Sequence, residues 1–182
     1  KPPFIADGHH RYETALNYRR LRREQAGGGE GALRPYDSVM MLFSSLEDKG
    51  LTVLPTHRVL TTALPPVADI KEMLSDSFEF IDCPFQRTQE SQVRKEFLKN
   101  LRDRGLSGPV FGLAVQHDSH YYLLRLRESD RPGPTEPPRH RLDVSILQQR
   151  VVGRLCPTQE EQEAILYTKD DHEALNWVLD GT

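Results

Sequence analysis

Cysteine is scarce in this 182-residue chain: Cys83 and Cys156 have neither metal-ligand spacing nor the density of a disulfide scaffold. That excludes a stapled secreted module and predicts a cytoplasmic protein with two ordinary buried thiols. Long hydrophobic runs are missing too. The longest, such as 39–43, are far shorter than the ~20 residues of a membrane helix, and nothing at the start reads as a signal peptide, so no membrane partner is expected. Nor is there a surplus of positive charge. With 24 Lys and Arg against 27 Asp and Glu, the net charge is −3, and nucleic acid is not an expected partner.

What is present is a polar globular composition at the length of one ordinary domain. The opening KPPF, and an ending just after a helical pattern, predict either a single α+β domain over 1–182 or an internal fragment of a longer protein. The prolines of PPFIA point to an extended start, the apolar triplet having the length of a buried strand end. A helix from His9 then runs to the glycines at 27–29. Flexible loops are expected near 27–35 and, from its prolines, 127–141.

Between those loops the patterns alternate without βαβ rhythm. The apolar runs 36–46 and 51–60, separated by EDKG, read as adjacent antiparallel strands, the second leaving the sheet at Pro55. Val67, Ile70, Met73 and Leu74 have helical spacing, and 77–82 alternates like a strand. A helix with Val93, Phe97, Leu98 and Leu101 on one face stops at Gly105. A hairpin is expected from 108–115 and 120–126. Asp143 reads as the cap of a helix carrying Val144, Leu147, Val151 and Leu155 inward. In the last helix Thr168 and Asp171 have capping-box spacing, with Leu175, Val178 and Leu179 inward. The sum is a mixed α+β fold with a mainly antiparallel sheet and packed helices.

The stretch IADGHHRYETAL, 5–16, concentrates titratable groups in the first turn of a helix. A helix N-terminus offers unpaired N–H groups and about half a positive charge, which suits an anion. His9, His10 and Arg11 would add to that field, and Arg11 can hold a phosphate bidentately. Gly8 supplies unusual backbone angles or close approach. Asp7 could bind Mg²⁺ or accept a proton from an attacking hydroxyl, and Glu13, four residues from His9, could orient its imidazole. A plainer alternative has Asp7 capping the helix, His9 paired with Glu13, and Arg11 on a surface carboxylate. Adjacent helical histidines point about 100° apart and do not easily chelate one metal. His57 and Arg58, at the end of an expected strand, would be further phosphate-facing donors if that edge lay beside the turn. The HDSH stretch at 117–120 reads as solvated turn residues.

The residues FIADGHHRYETALNYR, followed by SVMMLFSSLEDKGLTVLPTHRVL, closely resemble the bacterial and archaeal family known as domain of unknown function 1015. LDVSILQQRVVGRL and ILYTKDDHEALNWV are similar to its later blocks. The Asp-Gly-His-His-Arg turn is similar, over 5–16 only, to the phosphate-binding turn of the ParB and sulfiredoxin superfamily, which includes a free-serine kinase. That second resemblance implies a phosphate-binding strand-turn-helix, with nucleotide phosphates on Gly8, His9, His10 and Arg11 and Asp7 as base or metal ligand. No Cys stands in the turn for sulfinic-acid chemistry, and no helix-turn-helix of a ParB protein is recognisable.

The leading expectation is a nucleotide-binding phosphotransferase or NTP-hydrolysing domain, with Asp7, His9 and Glu13 as catalytic groups and Mg²⁺ with ATP or ADP as cofactor. One alternative is a non-catalytic module sensing a nucleotide or phosphorylated small molecule. Another is a ParB-like DNA-associated protein, against which the acidic net charge argues.

Overall fold

The computed structural model describes residues 3–27, 33–45 and 47–181, so 28–32 of the expected glycine loop lie outside the described residues. The chain forms two compact units, Lys1–Val53 and Leu54–Thr182.

In the second unit a three-stranded antiparallel sheet sits between helices. Strands β2 (Phe78–Pro84), β3 (Val110–Ala114) and β4 (His120–Leu126) take the order β2-β4-β3. The expected hairpin is present, with Phe111 opposite Leu124 and Leu113 opposite Tyr122. Successive side chains of a strand leave on opposite faces, so the apolar sequence of β4 feeds two cores at once. Tyr122, Leu124 and Leu126 join Phe78, Ile70 and Leu74, the last two from helix α2 (Val67–Leu74). Tyr121 and Leu123 join Phe97 and Leu98 of helix α3 (Glu90–Gly105) and Leu175 from near the end of the chain.

Close approach fixes α3 on the sheet. A Cβ built on Gly112 would lie 2.7 Å from the Phe97 ring, so the glycine is what lets that ring seat. The Tyr121 hydroxyl donates to Glu90, whose carboxylate also takes Arg94 Nε at 2.7 Å. Arg94 Nη1 reaches Asn176 Oδ1 at 2.7 Å. Burial, and then the Glu90 carboxylate, push the Tyr121 hydroxyl up to about 12.

The expected helix after Asp143 is interrupted. Helix α4 (Asp143–Leu147) passes into a wide π turn, Gln148–Val152, and then α5 (Gly153–Leu155). The wider turn shifts the inward face to Ile146, Val151, Val152 and Leu155, and Val144 is exposed, which corrects the strict helical spacing. Leu142 rather than Asp143 occupies the cap position. Helix α6 (Gln159–Glu163) opens on a Thr158–Glu161 capping box. The segment 127–141 holds only two short 3₁₀ turns and is tied down by Asp130 to Arg150 and by Arg127 Nε to the Ser75 carbonyl, 2.9 Å.

Strand β1 (His57–Val59) pairs with β5 (Leu166–Thr168), and helix α7 (Asp171–Asp180) packs against both. The α7 cap is Asp170, accepting from Glu173 N at 2.9 Å, while Thr168 Oγ1 accepts from Asp170 N. Ala174 and Leu175 are buried there, with Val178 and Leu179 half-buried.

The first unit differs in kind. Helix α1 (His9–Gln25) has no buried residue. What holds it to the 3₁₀ turn Pro35–Asp37 is charge: Arg19 Nε and Arg23 Nε both lie 2.9 Å from Asp37 Oδ1, and the Asp37 side chain is only 3% exposed. Arg22 lies over the Tyr36 ring at 6.0 Å. The Arg34 backbone N–H, and then the two guanidiniums against the opposing effect of burial, hold the Asp37 carboxyl down at about 2.

Three sequence expectations are corrected here. Residues 3–6 form no strand, and Phe4 and Ile5 are exposed rather than buried. The paired strands over 36–46 and 51–60 are absent among the described residues: 38–45 pairs with nothing, and only His57–Val59 of the second run is strand. Pro55 therefore precedes a strand instead of ending one. An apolar run predicts a preference for a sheet, but only a partner's N–H and C=O groups make one.

Candidate functional site

Glycine, not aspartate, starts helix α1. Gly8 has φ +81, a left-handed conformation that a side chain disfavours, and the first helical bond runs from Tyr12 N to Gly8 O at 3.0 Å. The amides of His9, His10 and Arg11 therefore precede the hydrogen-bonded ladder. No side chain caps them, and the first turn holds no acid. Asp7 instead faces Arg11, with Oδ2 3.4 Å from Nη2.

Arg11 folds back over the turn. A Cβ on Gly8 would lie 3.2 Å from Arg11 Nη2 and 3.3 Å from its Nε. The guanidinium thus lies against Gly8, in space that a side chain there would contest. The expected His9–Glu13 pair does not form: His10 Nδ1 lies 3.9 Å from Glu13 Oε2, and His9 has no ion pair or hydrogen bond among the described residues. Both i+3 and i+4 are helical neighbours, and here the shorter spacing is taken. A shallow, open depression on α1 is lined by His10, Arg11, Thr14, Ala15 and Tyr18. Asp7, His10, Arg11 and Glu13 are all strongly exposed.

His57 and Arg58 belong to the other unit. As neighbours on β1 they leave the strand on opposite faces, so they are not a converging pair of donors. Arg58 Nη1 donates to the Thr56 carbonyl at 3.0 Å, and its guanidinium lies 5.7 Å from the Tyr167 ring centroid. Arg58 Nε and His57 Nε2 are shielded from solvent and have no hydrogen-bond partner among the described residues.

An ionisable cluster forms at 118–122, where the sequence pattern points to a solvated turn. Asp118 Oδ2 accepts from the Tyr122 hydroxyl at 2.6 Å, and Asp118 Oδ1 lies 3.0 Å from His120 Nδ1. The His120 ring stacks on Tyr122 with centroids 5.8 Å apart. Burial raises the Asp118 carboxyl, but the bonds from Tyr122 and His120 outweigh it and hold it below the usual carboxylate range. A carboxylate accepts only, so Nδ1 carries the proton and Nε2 is the open nitrogen. Lys71, bonded to both Asp82 oxygens at 2.8 and 2.9 Å, lies 4.6 Å from the Tyr122 centroid. The signal available in sequence was the i, i+2 spacing of Asp118, His120 and Tyr122 at a strand start.

Among the described residues no three His, Cys, Asp or Glu come together as a metal site, and no helix is long and apolar enough to cross a membrane. The model of a family described as "Protein of unknown function (DUF1015)" matches residues 1–145. No curated protein and no solved structure matches the chain.

Proposed function

We propose, from the premise that the chain belongs to the DUF1015 family of proteins of unknown function, that it binds the phosphates of a nucleotide at the start of α1 and acts as a phosphotransferase or NTP-hydrolysing domain in the cytoplasm. The observation that carries this reading is the uncapped, acid-free first turn with the Arg11 guanidinium folded over Gly8. A helix start without a capping carboxylate leaves its amides to an anion, and a guanidinium beside Gly8 adds two more donors in a planar fork. The similarity of the Asp-Gly-His-His-Arg turn to the ParB and sulfiredoxin superfamily supports the same reading.

In this reading Arg11 exchanges the Asp7 carboxylate for a phosphate oxygen, and His10 and the backbone N–H groups complete the contacts. Asp7, released, is a candidate proton acceptor for an attacking hydroxyl. As a single carboxylate it would hold Mg²⁺ only together with the nucleotide's own phosphates, the usual arrangement for that ion. His9, without a side-chain partner among the described residues, is available to the phosphates, and Glu13 acts through His10 rather than His9.

A second reading, a module that senses a nucleotide or phosphorylated metabolite without chemistry, draws on the exposure of Asp7 and Arg11. Phosphoryl transfer gains most from a water-excluded site, and this turn excludes little. Titration calorimetry with ATP, ADP, CTP, GTP and inorganic phosphate, with and without Mg²⁺, tests both readings. Binding is expected in the wild type and its loss in Arg11→Ala, with His10→Ala weaker. Equal binding by wild type and Arg11→Ala refutes the site. Conversion of bound ATP to ADP supports the enzyme, and its recovery intact supports the sensor.

A further inference from the structure

Two Asp-Gly pairs occur in the chain, Asp7–Gly8 and Asp180–Gly181, and none of its asparagines precedes a glycine. An aspartyl carboxyl stands one carbon from its own main chain, so the next residue's nitrogen can close on it as a five-membered ring. Glycine, lacking a Cβ, hinders that closure least. Both aspartates are exposed. Exposure therefore does not separate the two pairs, and the backbone does.

At Asp180–Gly181 the backbone is committed. Asp180 is the last residue of α7, the Gly181 N–H donates to the Trp177 carbonyl at 3.1 Å, and the Gln116 side chain closes over Gly181. Turning that nitrogen onto the Asp180 carboxyl breaks the hydrogen bond and unwinds the last turn. Asp7–Gly8 has no such tie. Residues 3–6 form no helix or strand, and the Gly8 N–H donates no hydrogen bond among the described residues. The helical ladder begins beyond it, with Tyr12 N on Gly8 O. Among the described residues the Asp7 carboxylate meets only Arg11 Nη2, at 3.4 Å and in solvent.

We infer that Asp7–Gly8 is a site of spontaneous succinimide formation and isoaspartate modification in the folded chain, and that Asp180–Gly181 is not. The Gly8 nitrogen attacks Asp7 Cγ. A C–N bond forms, a C–O bond breaks, and the carboxyl OH leaves as water with the amide proton. Water then opens the ring. Addition at Cγ restores aspartate, whereas addition at the Asp7 backbone carbonyl carbon leaves isoaspartate, whose main chain runs through Cγ and gains one carbon immediately ahead of Gly8. Nothing is oxidised or reduced. The change needs no enzyme and no ligand, so it stands whether or not the turn binds phosphate.

Incubation of the chain at neutral pH, folded and in parallel in urea, tests this. Isoaspartate is read by enzymatic methylation of its free carboxylate with labelled S-adenosylmethionine, and each site is resolved by peptide mapping. Folding is expected to slow labelling at Asp180 by about tenfold or more relative to urea, and at Asp7 by less than about threefold. Asp7→Glu, which enlarges the ring to six members, removes the label from the peptide that contains Gly8. Equal slowing of the two sites by folding overturns the inference. So does a label that survives Asp7→Glu, or an Asp7 peptide that stays unlabelled in the folded chain while it reacts in urea.

Discussion

The two units of this protein are held by opposite means. In Leu54–Thr182 a strand sequence apolar on both faces lies between helices, so Phe78, Leu124 and their neighbours are removed from water. In Lys1–Val53 the α1 contact closes on the Asp37 carboxylate, 3% exposed under two arginines. Apolar burial is non-directional and does not titrate, whereas a charge clamp is directional and does. The difference teaches that α1 sits on a mount that can be loosened without unfolding the rest.

The largest effect that would sharpen this contrast is Phe78→Ala. Phe78 is buried against Phe111, 6.0 Å between centroids, and its truncation should lower the stability of the second unit by about 3–5 kcal/mol in urea unfolding. A loss below 1 kcal/mol would show that the two-sided core is not what stabilises it. Gly112→Ala comes next. The added methyl meets the Phe97 ring, and overpacking should cost about 1–3 kcal/mol, read by the same measurement.

Smallest in global stability, but most telling for the contrast, is Asp37. Its folded-state carboxyl lies at about 2 against an ordinary 3.8, so its contribution is complete above 3.8 and is lost as the pH falls towards 2. Hydrogen exchange of the α1 amides should quicken over that window, while that of β4 does not follow the same titration. In Asp37→Asn the quickening should already be present at neutral pH and the acid step should vanish. Equal protection of α1 in the wild type and Asp37→Asn would break the clamp argument.

How far the sequence could be read follows the same division. The α3 face of Phe97 and Leu98, the β3–β4 hairpin and α2 were legible, because helical spacing of apolar residues or a turn between two apolar runs marks each within its own segment. The start of α1 at His9 and the unusual angles of Gly8 were legible from local chemistry. The pairing of 36–46 with 51–60 was not a valid reading, since run length and a turn signal cannot reveal whether a partner strand arrives. The Asp118–His120–Tyr122 cluster was missed because a strand start next to a turn resembles any polar turn until the ring stack and the shared carboxylate are seen.

Sequence alone determined the local periods and special backbone positions: the helix from His9, the glycine that opens it, the apolar run of β4, and the concentration of His and Arg in one turn. These depend on residues within a few positions of one another, where 3.6- and 2-residue repeats decide which side chains share a face. Tertiary structure alone decided that β1 pairs with residues more than a hundred positions away, that a π turn rotates Val152 inward, and that Val39–Phe43 finds no ladder among the described residues. Those outcomes rest on which donors, acceptors and apolar surfaces arrive from distant segments, and no local pattern encodes that arrival.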